Sequence, residues 1–158
     1  MSIKLKRLVN CYEERMLEFL QTCVDDNYKI HTQVSLCQFC ELDSNLDIEL
    51  RKFFFSSSVD ALITNSDYKP CLVVDFQSSY HDYPEARERD RKKATLLALA
   101  AVPLLYSRVK DFGLLHLYSQ SEEVVCNLFT GNRRENAQAL IRNYCKQSFS
   151  ADVRVTAL

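Results

Sequence analysis

Apolar and polar residues recur along the chain with two different periods, and these periods predict where helices and strands lie. Apolar side chains fall at helical spacing over residues 4–24 and 133–146, and residues 86–101, after Pro84, are dense in strong helix formers. Alternation over residues 29–36 predicts a strand, as do the apolar runs at 59–63, 70–77, 103–109 and 114–118. Residues 38–51 are polar and acidic, which predicts a connection that is partly helical.

This order of elements predicts the class of fold. A helix, three strands, a helix, one or two strands and a final helix are typical of an α/β or α+β domain, in which helices flank a mixed central sheet. The 158 residues and the 47% hydrophobic content favour a single domain over residues 1–158 with a substantial core.

The composition of the chain excludes several classes of function. Twenty basic and 21 acidic residues give a net charge of -1, so a nucleic-acid surface would have to be local. The only two glycines, Gly113 and Gly131, exclude a glycine-rich phosphate loop. The apolar runs are too short to span a bilayer and no signal peptide is evident, which predicts a cytoplasmic protein without a membrane partner.

Two strand-like segments each carry a carboxylate. Asp60 lies in the first strand and Asp75 in the second, and residues 64–69 between them contain turn formers, so the pattern predicts a hairpin. Alternation places Gln77 on the same face as Asp75, and strand pairing can bring Asp60 beside them. Carboxylate and amide oxygens suit a hard cation such as Mg²⁺ or Mn²⁺. The alternative is that each acid caps a strand or pairs with an arginine.

Basic residues and a histidine follow the second acidic strand. His81 could serve as a base toward water or hold a phosphate, although a lone surface histidine often has no function. Arg89, Arg91 and Lys92 crowd the next predicted helix and are candidates for phosphate contacts. The alternative for these cations is an ordinary solvated helix face.

The seven cysteines are odd in number, which favours reduced thiols. Cys37 and Cys40 form a lone CxxC pair, with His31 as a conceivable third ligand. Because a structural zinc normally needs four ligands, a zinc or thiol protein is the weaker alternative.

Several segments carry, in order, a resemblance to a known family. They are Glu14-Arg15, Gln33-Val34-Ser35-Leu36, Ser58-Val59-Asp60-Ala61-Leu62-Ile63, residues 72–81 (LVVDFQSSYH), Arg89-Asp90-Arg91-Lys92-Lys93 and Val102-Pro103-Leu104-Leu105. Together they resemble the PD-(D/E)xK nuclease superfamily, and within it the small bacterial domains allied to very-short-patch-repair endonucleases. The resemblance covers residues 10–108, and a helical extension is expected over 120–158.

The resemblance implies a restriction-endonuclease-like core and a Mg²⁺-dependent nuclease that favours DNA. It implies that Asp60 and Asp75 are metal ligands together with the backbone carbonyl of Phe76 and, from the first helix, Glu14. Gln77 occupies the place usually taken by a charged residue, and Gln77 or His81 would position the attacking water.

Two departures from the family pattern support a second hypothesis. Asp75 stands where glutamate is commoner, and Gln77 is uncharged. The alternative function is therefore a catalytically inactive module that binds nucleic acid, a protein partner or a second copy of itself. Either function predicts that the Asp60 and Asp75 carboxylates converge; in a metal-free site at least one of them should then have a raised pKa.

Overall fold

The computed structural model describes residues 1–42, 45–78 and 82–156, so that His81 lies outside the described residues. The described chain forms helices and strands with the following bounds: α1 (Cys11–Cys23), β1 (Tyr28–Ser35), α2 (Leu36–Phe39), α3 (Ile48–Ser56), β2 (Ser58–Asn65), β3 (Pro70–Phe76), α4 (Pro84–Leu99), β4 (Leu104–Lys110), β5 (Leu114–Tyr118), β6 (Glu123–Asn127) and α5 (Arg134–Thr156).

The strands form one six-stranded sheet in the order β1-β2-β3-β4-β5-β6. Neighbouring strands are antiparallel except β3 and β4, which are parallel. Parallel neighbours need a long crossover, and α4 supplies it. The predicted class is thus confirmed: the protein is a mixed α/β domain with helices against a mixed sheet.

Helices cover both faces of the sheet. On one face α1 and α5 pack on Ala61, Ile63 and neighbouring strand residues. On the other face α2, α3 and α4 pack on Leu62 and Val73. None of the helices in the described ranges is both long and apolar enough to cross a membrane.

The first helix begins later than its apolar spacing predicts. Asn10 is its N-cap: the side-chain oxygen accepts from the amides of Tyr12 and Glu13, and the Glu13 carboxylate accepts from the Asn10 amide at 2.8 Å. This capping box sets the start of α1 at Cys11, so the predicted start at residue 4 is wrong. The exposed side chains of Ile3, Leu5 and Leu8 account for the misleading periodicity.

The C-terminal region is not helical throughout. Glu123–Asn127 forms β6 and pairs with β5, which corrects the helical extension predicted from residue 120. The sequence of β6, EVVCN, has three consecutive apolar residues and no alternation of apolar and polar positions, so it carries no strand signal of that kind. The last helix, α5, runs from Arg134 to Thr156, beyond the predicted end at residue 146.

Candidate active site

The β2–β3 hairpin positions the two acids. At its turn, the Asn65 side-chain oxygen accepts from the amides of Asp67 and Lys69 at 2.9 and 3.0 Å. The antiparallel ladder ends at the pair Ala61–Val74, and the next residues outward are Asp60 and Asp75. The hairpin therefore places both acids on one face at the open end of the ladder, as the sequence predicts.

Each carboxylate is bound by the opposite strand. The Asp60 amide donates to Asp75 Oδ1 at 3.0 Å, and the Phe76 amide donates to Asp60 Oδ2 at 2.8 Å. The side chains thus take over from backbone carbonyls as acceptors where the ladder ends. This exchange fixes the two carboxylates relative to each other.

A third charged group reaches the pair from α4. Lys93 Nζ lies 2.8 Å from Asp75 Oδ2, and the two side chains are only 16% and 3% exposed. The packing of β3 against α4 explains the contact. Val73 and Leu97 lie in the same apolar cluster; Asp75 follows Val73 on the same strand face, and Lys93 lies one helical turn before Leu97.

Lys93 is the site residue that sequence reasoning missed. It belongs to the basic run of α4, in which the sequence pattern pointed to Arg89, Arg91 and Lys92 as phosphate ligands. The available signal was its spacing: positions 93 and 97 share a helix face. Because Leu97 is a core residue with 1% exposure, that face had to lie against the sheet.

Burial and the charge of Asp75 make ionisation of the Asp60 carboxyl less favourable. The pKa of Asp60 is raised above its ordinary value, first by burial and then by the negative charge of Asp75. The Phe76 amide, the Lys93 ammonium and the Gln33 side chain oppose the shift without cancelling it. The site is therefore a like-charge pair that a further cation would relieve.

The pair is nevertheless satisfied within the protein. Gln33 Nε2 donates to Asp60 Oδ1 at 3.3 Å, so that, with the amide and lysine contacts above, every carboxylate oxygen of the pair accepts a hydrogen bond. A carboxylate oxygen has more than one acceptor position. The oxygens therefore keep the capacity to bind a cation.

Gln77 lies just beyond the pair. Its amide donates to the Ser107 carbonyl at 2.7 Å, and its side-chain Nε2 donates to Asp90 Oδ2 on α4 at 3.3 Å. Gln77 is thus held between β4 and α4 by its own contacts. The Phe76 backbone is placed beside Asp60 through its amide, and coordination by its carbonyl stays a prediction.

A cleft of about 860 Å³ is lined by Asp60 and Lys93, whereas the Asp75 side chain, which is 3% exposed, is not part of its lining. Its walls come from α1, β2, β3, α4, β4 and the loops after β4 and β6. Four cations line it, namely Arg15, Lys93, Arg108 and Lys110, against the acids Glu13 and Asp60. Arg108 also donates to Asp82 at 3.0 Å and to the Ser78 carbonyl at 3.2 Å. The cleft therefore combines the acids with an excess of positive charge.

The structure does not bring Glu14 to the pair. Its carboxylate accepts from Arg7 at 2.6 Å, and the α1 acid that lines the cleft is its neighbour Glu13. In the described part of the chain, no group of three or more histidine, cysteine, aspartate or glutamate side chains is arranged to hold a metal. The described site therefore offers a cation two carboxylates.

The predicted phosphate ligands also lie elsewhere on α4. Arg91 pairs with Glu88 and lines a neighbouring cleft of about 790 Å³, which it shares with Gln77 and Asp90. Lys92 is 4.0 Å from Glu49, and Arg89 is exposed. Successive helical residues turn by about 100°, so Arg91 and Lys92 lie on other faces than Lys93, and Arg89, one turn earlier on the Lys93 face, is exposed.

The cysteines do not form a recognisable centre. Cys37 is exposed and Cys40 half-buried, both as free thiols, while His31 Nε2 hydrogen-bonds to the Thr64 hydroxyl at 2.8 Å. Burial raises the pKa of Cys23 and Cys145 to about 12. Such thiols are core residues with little nucleophilic character.

Comparison with known proteins gives a family. Residues 5–120 match a family described as a protein of unknown function, DUF2726. The chain belongs to DUF2726. The match includes both acids and Lys93 and stops before β6 and α5. No curated protein and no solved structure matches this DUF2726 chain.

Proposed function

We propose that this protein is a metal-dependent nuclease of the PD-(D/E)xK type, with a restriction-endonuclease-like core, acting on DNA in the cytoplasm. The observation that carries the proposal is the cluster of Asp60, Asp75 and Lys93 at the end of the β2–β3 ladder. The cluster joins the buried Asp75 carboxylate to the half-buried Asp60 and Lys93 side chains, and the last two line an open, basic cleft.

The donor set supports a hard cation. Mg²⁺ is usually bound by one or two carboxylates, with waters and substrate phosphates completing its shell. Asp60 and Asp75 would hold the ion, and the Phe76 carbonyl is the proposed further ligand. A bound divalent ion would neutralise phosphate charge and lower the pKa of a bound water. Because the charge of Asp75 raises the pKa of Asp60, a cation there also relieves repulsion within the protein.

Lys93 would compensate for the main departure from the family pattern, which is the uncharged residue at position 77. Strand position 77 carries an uncharged glutamine, but the Lys93 ammonium reaches Asp75 Oδ2 at 2.8 Å from α4. We infer that Lys93 supplies the positive charge that position 77 lacks. Gln77, held by Asp90, would orient the attacking water; the role proposed for His81 stays open.

The cleft also suits a polyanion. Arg15, Arg108 and Lys110 line the same cleft as Asp60, where guanidinium and ammonium groups would contact phosphates on either side of the scissile bond. Arg89, Arg91 and Lys92 are then proposed contacts for more distant phosphates. The overall charge of -1 is no obstacle, because the basic residues are concentrated locally.

A nuclease assay tests the proposal. Purified protein is incubated with supercoiled, linear and single-stranded DNA in Mg²⁺, Mn²⁺ or EDTA. We expect cleavage only with the metals, and a loss of more than about 100-fold in Asp60→Asn, since removal of an outer partner of a metal ligand alone costs roughly 10–100-fold. Asp67→Asn is the matched control, because Asp67 is an exposed acid at the other end of the same hairpin. Equal activity of both variants, or no cleavage by wild type, would contradict the proposal.

One observation favours the alternative of an inactive binding module. Every carboxylate oxygen of the pair already accepts a protein hydrogen bond, which would also stabilise a site that has lost its metal. In that case the wild-type protein binds DNA or a protein partner with the same affinity in Mn²⁺ and in EDTA, and never cleaves.

A further inference from the structure

Three aromatic side chains stand exposed on the wall of the cleft that Asp60 and Lys93 line. Tyr12 on α1, Phe112 in the turn after β4 and Phe129 in the turn after β6 all line it. They are 61%, 86% and 63% exposed. Rings that served only the core would be buried, so these rings require another explanation.

The rings are held in place by the backbone. Phe112 adopts a φ of 62°, a left-handed conformation that is unfavourable for an aromatic residue. The Asn127 side chain donates to the Phe112 carbonyl at 3.3 Å, and the Leu128 amide donates to the Gly113 carbonyl at 2.9 Å. The two turns are thus tied together with the Phe112 ring directed to solvent.

Gly113 makes room for the second ring. A Cβ at this position would lie 2.6 Å from Cδ2 of Phe129, closer than carbon atoms can approach. The absence of a side chain therefore lets the Phe129 ring lie against the backbone of the neighbouring turn. Since Phe129 is 63% exposed, much of its ring remains accessible from the cleft.

A cation accompanies the rings. The Arg15 guanidinium carbon lies 5.2 Å from the centre of the Phe129 ring, and Lys110 and Arg108 line the same cleft. Exposed aromatic faces beside positive charge match a chain that alternates flat bases with phosphates. In a duplex the bases are stacked on each other, so their faces are available only in unpaired strands.

We propose that Tyr12, Phe112 and Phe129 form a stacking wall for unpaired bases, so that the preferred substrate of this site is single-stranded nucleic acid. This inference rests on the proposed nuclease function, which it deepens by naming the substrate class. The phosphates contact Arg15, Arg108 and Lys110, and the bases stack on the rings while the backbone passes the acid pair.

Binding measurements separate the contributions of bases and phosphates. Fluorescence anisotropy in EDTA, which prevents metal-dependent cleavage, gives affinities for three probes: a short oligothymidylate, an abasic strand of the same length and a duplex of that length. The wild-type protein should bind the oligothymidylate more tightly than the abasic strand. Phe112→Ala should weaken oligothymidylate binding roughly 5- to 150-fold and leave the abasic strand and the duplex unchanged.

The controls exclude simpler explanations. Phe55 is 60% exposed on α3, away from the cleft, so Phe55→Ala should change no affinity. Tyr12→Ala tests the wall from another element, in case the strained turn at Phe112 responds to substitution. The salt dependence of binding should stay constant in both ring variants, because stacking releases no counterions.

The outcomes distinguish this inference from the proposed function. Equal affinity for the abasic and thymidylate strands, or an equal loss on the duplex in Phe112→Ala, would overturn the stacking wall. If metal-dependent cleavage of duplex DNA persists in that case, the nuclease proposal stands alone. Ring-dependent strand binding without cleavage in any metal would overturn the nuclease proposal instead, and absence of binding to all three probes would overturn the stacking wall.

Discussion

Two ion pairs on α4 differ sharply although their basic residues are two positions apart. Lys93 and Asp75 are 2.8 Å apart with side chains that are 16% and 3% exposed, whereas Arg91 and Glu88 are 2.6 Å apart with side chains that are 66% and 50% exposed. The first pair joins the helix to the sheet, and the second lies within the helix. Judged by distance alone, the exposed Arg91–Glu88 pair would wrongly be taken as the more important of the two ion pairs.

The two ion pairs differ because they lie on different faces of α4 and are exposed to solvent to different degrees. Lys93 follows the face of Leu97 into the sheet, while Arg91 faces water. A buried charge has no water to stabilise it once its partner is removed, but an exposed one does. By this comparison, Lys93 is the member of the basic run that joins α4 to the sheet, whereas Arg91 contributes little to stability.

The largest expected effect follows from removing the buried cation. Lys93→Met leaves the Asp75 carboxylate buried without its partner, which should lower the free energy of unfolding by about 3–5 kcal/mol. Urea denaturation at neutral pH measures it. Lys92→Met is the matched control, because the contact of Lys92 with the exposed Glu49 is long, at 4.0 Å. This variant should change the free energy of unfolding very little.

A second variant checks the cause of that loss. The double variant Lys93→Met with Asp75→Asn removes both charges, so it should recover a large part of the stability lost in Lys93→Met. If the double variant is less stable than Lys93→Met alone, the loss comes from side-chain packing and not from the uncompensated carboxylate.

A smaller effect is expected for Asp60, with a distinctive pH dependence. Because the pKa of Asp60 is raised in the folded protein, the folded state holds its proton more tightly than the unfolded chain does. The contribution of Asp60 to the free energy of unfolding therefore falls as the pH rises from its pKa in the unfolded chain through its raised pKa in the folded protein. The loss persists at neutral pH.

Asp60→Asn abolishes this titration. The free energy of unfolding of the variant minus that of the wild type should therefore increase with pH between about 4 and 7. Chemical denaturation at a series of pH values, without divalent ions, gives the difference. A difference that is constant or decreases with pH would mean that neither burial nor the Asp75 charge raises the pKa of Asp60 in the folded protein.

The smallest effect is expected for the exposed pair. Arg91→Ala should leave the urea midpoint unchanged within error, because water replaces the lost contact to Glu88. The same variant should retain DNA cleavage if Lys93 and the cleft cations carry the function. A loss of activity comparable with that of Asp60→Asn would return the function to the exposed face of α4.

The sequence was sufficient to predict the β2–β3 hairpin, but it did not predict which side chain of α4 contacts the two acids. Alternation and turn formers predicted that Asp60 and Asp75 would converge, because strand pairing depends on local spacing. The contact with Lys93 depends on how α4 crosses the sheet, which only the packing of Leu97 on Val73 fixes. Glu14 was misplaced for a related reason: it precedes Arg15 in the motif, but its carboxylate pairs with Arg7.

The aromatic wall was beyond sequence reasoning because its members are remote along the chain. Tyr12, Phe112 and Phe129 come from a helix and two turns, and β6, which precedes Phe129, has no alternation of apolar and polar residues that would predict a strand. Exposed rings also have no periodic signature, since their positions are set by turn conformation.

The most direct test of the central claim is the binding of Mn²⁺ to the free protein, followed by electron paramagnetic resonance of the unbound ion and repeated with Mg²⁺ as competitor. The metal site at Asp60 and Asp75 predicts saturable Mn²⁺ binding to the wild type that Mg²⁺ displaces, that Asp60→Asn abolishes and that Asp67→Asn retains. Absence of saturable binding by the wild type, or equal binding by Asp60→Asn, would contradict it.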